Sequence, residues 1–110
     1  MKTETQIHVG GRMRFSPSQI ILLESDVNYT RLHFSDGSVV LTSTNLGKLE
    51  PRFLAHSFFR INRRFMVNLQ YIVAQYDSTM LVLANQMEVC LSRRKKDLFF
   101  KNFTLTNKEI

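Results

Sequence analysis

The chain has 110 residues, 44% of them hydrophobic and 22% charged, which fits one globular domain and excludes both a disordered chain and a second domain. Its net charge of +6 is unevenly placed: residues 1–58 hold six Lys/Arg against five Asp/Glu, whereas residues 59–101 hold eight against three. A localised excess of this kind points to a polyanionic partner.

In chain order, "MKTETQIHVGG" has no apolar signal-peptide core. The longest unbroken apolar run, "MLVLA", is far below the ~20 residues of a membrane-spanning helix. A cytoplasmic protein with no membrane partner is expected. "QIHV" and "RMRF" flank Gly10-Gly11 and predict a tight hairpin. "QIILLES" reads as a strand covered on both faces. "YTRLHF" alternates, with Thr30, Leu32 and Phe34 on one side and Tyr29, Arg31 and His33 on the other. Asp36-Gly37 allows a reversal, and "SVVLT" returns. "STNLGKLEPRFL" puts Leu46, Leu49 and Phe53 at helical spacing behind a Thr44 or Asn45 cap, with Gly47 and Pro51 shortening or dividing the helix.

"FFRI" and "FMVNL" are strand-like pieces interrupted by Asn62, Arg63 and Arg64, which predicts a loop or bend there. "YIVAQYD", "TMLVLA" and "MEVCLS" predict a meander, with Asn85 tolerating a left-handed turn and Cys90 read as a buried, inert thiol. In "SRRKKDLFFKNF", Ser92 is the expected helix cap, and Phe99 and Phe103 share a face. Arg93, Arg94, Lys95 and Lys96 then fall in the first helical turn. Cations are disfavoured there unless an anion is bound. Residues 104–110 read as a flexible tail.

Enzyme chemistry has little support. His8, His33, His56 and Cys90 lack metal-ligand spacing, the four glycines form no phosphate-cradling motif, and no cofactor is implied. Glu24 and Asp26 read as salt-bridged or solvated acids. The basic segments carry the functional signal. Arg and Asn suit guanine and adenine edges in a major groove; of the three arginines Arg60, beside Phe59 and Ile61, is the one most readily read instead as structural, paired with Glu24, Asp26 or Glu50. A protein module that binds RNA or an acidic partner through the same face is the alternative. Only Tyr29 and Tyr76 are available there as stacking platforms.

"LLESDVNYTRLHFSDG", "TNLGKLEPRF", "FFRINRRFMVNLQYI" and "VCLSRR", in that order, resemble the LytTR-type DNA-binding domain, most clearly from Ile20 to Lys101. The resemblance implies a mostly β fold (α+β minor): an elongated array of about ten short, mainly antiparallel strands in small sheets with short helices. It also implies a sequence-specific transcription regulator of double-stranded DNA. Loops of such a regulator enter successive major grooves at direct-repeat promoter sites, where a second copy occupies the adjacent repeat. Three recognition loops are implied. The first is Asn28, Tyr29 and Thr30 with Arg31, and the second is Asn62 and Arg63 with Arg64. The third is Arg93 with Arg94, Lys95 and Lys96. Arg63 and Arg93, with Thr30, are expected at base edges, and Arg31, Arg64, Arg94, Lys95 and Lys96 at phosphates. Two departures stand out: Asn62 occupies the place of the family's common His, and Arg64 that of its usual Ser. Many members also carry a receiver domain or a membrane segment. Neither is present in these 110 residues, so regulation through a separate sensor or partner protein is expected.

Overall fold

In the computed structural model, which describes residues 4–103, ten short strands and two helices pack as three antiparallel sheets. Strands β1 (Ile7–Gly10) and β2 (Met13–Phe15) form the first hairpin, with Gly10 and Gly11 both at positive φ. The glycine at position 10 is required twice over. Its φ is +134°, and a Cβ there would lie 2.5 Å from Thr42 Oγ1 and 2.6 Å from Thr44 Oγ1.

A five-stranded sheet forms the middle of the molecule. It comprises β3 (Ile20–Asp26), β4 (Tyr29–Phe34), β5 (Val39–Thr42), β6 (Phe58–Arg60) and β7 (Phe65–Asn68), in the spatial order β5-β4-β3-β7-β6. Central position explains the continuous apolar run of β3. Ile20 and Leu23 enter one core, with β1, β2 and helix α1 (Leu46–Phe53). Ile21 and Leu22 enter the other, and a register irregularity between Ile20 and Leu22 lets these neighbours share a face. The second core is closed by a meander of β8 (Ile72–Tyr76), β9 (Met80–Leu83) and β10 (Glu88–Cys90), and by helix α2 (Lys96–Asn102). The alternation of β4 is as expected, with Thr30, Leu32 and Phe34 buried.

Helix α1 is short but undivided. Asn45 caps it by accepting from the Lys48 N–H at 2.9 Å, and Leu46, Leu49 and Phe53 are buried. Pro51 removes one backbone donor on the exposed side without breaking the turn. Three expectations need correction. Ser92 makes no side-chain cap bond: Arg93–Lys95 form a separate 3₁₀ turn, and α2 begins only at Lys96. The left-handed residue of the β9–β10 turn is Gln86, at φ 72°, while Asn85 instead accepts from the Met87 N–H through Oδ1. Cys90 is exposed, because β10 turns the more apolar Val89 inward. The outline measures 39 × 38 × 24 Å, a slab extended in two directions rather than one. The expected tail at 104–110 lies outside the described residues. Among those described, no helix is long and apolar enough to cross a membrane.

Candidate nucleic-acid interface

The link between β6 and β7 is a short basic loop whose backbone is fixed by its own side chains. Ile61 is fully buried and anchors it. Asn62 Oδ1 accepts from the N–H groups of Arg64 and Phe65, each at 2.8 Å, and Asn62 Nδ2 donates to the Cys90 carbonyl at 2.6 Å. Arg60 is the structural arginine. Its guanidinium donates to Glu50 Oε1 at 2.9 Å and to the carbonyls of Asn62 and Arg63 at 3.0 and 2.6 Å.

The basic turn before α2 docks onto this loop. Ser92 N–H donates to the Ile61 carbonyl at 2.9 Å, and Lys95 Nζ donates to the Arg60 carbonyl at 3.0 Å while lying over the Phe59 ring. On the other side, Ser25 N–H donates to the Arg64 carbonyl at 2.7 Å, which joins the β3–β4 hairpin to the same edge. Three segments far apart in sequence are thus placed side by side by hydrogen bonds to one another's backbone.

Between the second and third segments lies an open groove of about 1000 Å³, whose walls include Asn62, Arg63, Arg64, Arg93, Arg94 and Lys95. Phe65, Met80 and the acid Glu88 also line it, and the sequence alone offered no signal for these. Arg63, Arg93 and Arg94 are exposed, and among the described residues none of their side chains has a hydrogen-bond or ion-pair partner. The remaining expected residues are arranged differently. Asn28 and Tyr29 are exposed at the β3–β4 turn, next to Val27, a β-branched residue held at φ 59°. Thr30 is fully buried, and its hydroxyl donates to the Thr44 carbonyl at 2.8 Å. Lys96 is half-buried at the start of α2.

Besides Arg60, two arginines expected at phosphates carry their own counter-ions. Arg31 pairs with Asp26 at 2.6 Å. Arg64 donates through Nε, at 3.1 Å, and through Nη2 to Glu24 Oε2, while the other oxygen of Glu24 meets His33 Nε2 at 2.9 Å. Burial pushes the Glu24 carboxyl up, but the bonds from His33 and Arg64 outweigh it and leave Glu24 below the usual glutamate value. The native state therefore binds the proton less readily than the unfolded chain. The stabilisation is complete above about pH 4.3, the unfolded value, and is lost as pH falls through the lower native value. Thermal melts between pH 6 and 3 should show a steeper loss for the wild type than for Glu24→Gln; parallel curves would rule out this contribution.

The profile of the LytTr DNA-binding domain family matches residues 10–104. The chain belongs to this family. A solved structure with a similar fold is the LytTr DNA-binding domain of a protein described as a methyl-accepting/DNA response regulator from Bacillus cereus. It superposes with a TM-score of 0.71 over 93% of this chain and 97% of that one, at 23% identity. A comparison with curated proteins yields no significant match. In this LytTr domain the loop before β7 has Asn62 bonded to three backbone groups and Arg64 bonded to an acid.

Proposed function

We propose that this LytTr domain is a sequence-specific, duplex-DNA-binding transcriptional regulator that presents its loops to successive major grooves at direct-repeat promoter sites. One observation carries the reading: three guanidiniums without a partner among the described residues, those of Arg63, Arg93 and Arg94, stand on a groove whose backbone is immobilised by other residues. A free guanidinium on a fixed backbone suits bidentate recognition of a guanine edge, because little ordering remains to be done on binding. Arg63 and Arg93 take the base-edge role. Arg94 and Lys96 take phosphates, and Asn28 and Tyr29 form the tip of the first loop.

Asn62, Thr30 and Lys95 take supporting roles. Both lone-pair directions of Asn62 Oδ1 are occupied by backbone donors, so its amide cannot pair with an adenine edge in this conformation. Thr30 fastens the first loop to the segment after β5. Lys95 fastens the third loop to the second.

Selection of duplexes from a random pool, followed by anisotropy titration at two salt concentrations, tests the reading. An enriched direct repeat is expected, with affinity falling steeply as salt rises. A steep salt dependence with no enriched sequence would leave only a general polyanion binder. Stronger competition by single-stranded RNA than by duplex DNA would favour the basic RNA-binding alternative. A separate sensor or partner protein belongs to the same proposal, as does a second copy on the neighbouring repeat.

A further inference from the structure

Arg64 is the arginine nearest in sequence to the base-reading Arg63, yet its surroundings differ. Its side chain is 63% exposed and lines the groove, while the side chain of the acid it bonds, Glu24, is only 10% exposed. Glu24 is fixed from three directions. It lies on the central strand β3, its neighbours across the sheet are Arg31 and Phe65, and His33 holds its second oxygen. The acid therefore cannot swing out to follow the arginine. To give a phosphate its full charge Arg64 must release the carboxylate from Nε and Nη2, stranding an acid with one partner at the edge of a surface that faces a polyanion. Arg31 also pairs with an acid of the same strand, Asp26, but there the two side chains are about equally exposed. The adjacent Arg63, Arg93 and Arg94 have no such partner among the described residues.

We infer that Glu24 is a specificity-determining residue of the DNA interface, which withholds Arg64 from the phosphate backbone and so limits sequence-independent binding. The inference rests on the duplex-DNA reading above. Specificity is a ratio between correct and random duplexes. A cation near the backbone strengthens both alike, whereas one already neutralised strengthens neither. The groove thus keeps its charge where bases are read and loses it at Arg64. Arg64 is held by a charge-assisted, two-donor contact to one carboxylate oxygen, and this makes the withholding firm rather than nominal.

Binding to random-sequence duplex by the full chain, titrated over a range of salt concentrations, tests this. Glu24→Gln retains the shape and can still hydrogen-bond His33, but releases the charge of Arg64. It should tighten random-duplex binding by about threefold to tenfold at 0.1 M salt and steepen the log–log salt slope by about 0.9, the signature of one added phosphate contact. The double variant Glu24→Gln, Arg64→Gln removes the pair without changing net charge and should return to the wild-type slope. A folded Glu24→Gln protein that binds random duplex no more tightly than wild type would overturn the proposal. A second measurement needs no variant of the acid. In wild-type protein titrated with duplex, the Arg64 Nε–H resonance should move far less than those of Arg63 and Arg93, and equal movement would overturn the proposal too. If wild type shows no salt-dependent duplex binding, the DNA reading itself fails and the inference goes with it.

Discussion

Replacing Arg63 and Arg93 together with alanine should weaken binding to the selected duplex by about 2–6 kcal/mol, at about 1–3 kcal/mol for each bidentate base contact. Binding to random duplex should weaken far less, through the loss of two charges alone. Folding should be nearly untouched, because neither side chain has a partner within the described residues and both are exposed. The backbone carbonyl of Arg63 is used, by Arg60 Nη2, but alanine keeps that carbonyl. Anisotropy with matched and random duplexes, alongside a thermal melt, separates the possibilities. A large fall in melting temperature with unchanged binding would mean that the two arginines support the fold and read nothing.

Phe99→Ala should destabilise the protein by about 3–5 kcal/mol, the usual range for deleting a buried phenyl ring. Phe99 is fully buried, with ring centroids of Phe59, Phe100 and Phe103 at 5.5, 5.1 and 5.3 Å. A helix of seven residues has no stability of its own, so its docking through Phe99 is what keeps α2 in place. The third basic turn runs directly into that helix, and specific DNA affinity should therefore fall along with stability. Denaturant titration would show the first effect and anisotropy with the selected duplex the second. A loss below about 1 kcal/mol would mean that the site collapses around the deletion and that α2 is anchored elsewhere.

Much of the fold was legible because short strands with one covered face alternate, as β4 does, and because Gly10-Gly11 and Asp36-Gly37 mark reversals that few other residues allow. Phase in very short strands was harder to read. In the three-residue β10 either Val89 or Cys90 could have faced inward, and only packing against Leu81 and Leu91 decides for Val89. Ser92 could not be read as lacking a cap bond, since the local sequence does not distinguish a 3₁₀ turn from the start of an α-helix and does not show Lys95 reaching back to Arg60. For the candidate interface, the positions of the cations were visible but their partners were not. Asn62 meets Cys90 across 28 residues of sequence and Arg64 meets Glu24 across 40. Charge alone cannot distinguish a free arginine from a neutralised one.

The support given to the basic loop by Arg60, Asn62 and Lys95 has a further consequence, for divergence among relatives. The residues that shape the loop are not those at its tips, so Arg63, Arg93 and Arg94 can mutate without disturbing the scaffold. On the proposed reading, new operator preferences are thus open to single-codon changes that purifying selection on folding would not remove. The supporting residues have no such freedom, because Arg60 and Asn62 shape the loop that carries Arg63, and Lys95 ties the turn that carries Arg93 and Arg94 to it.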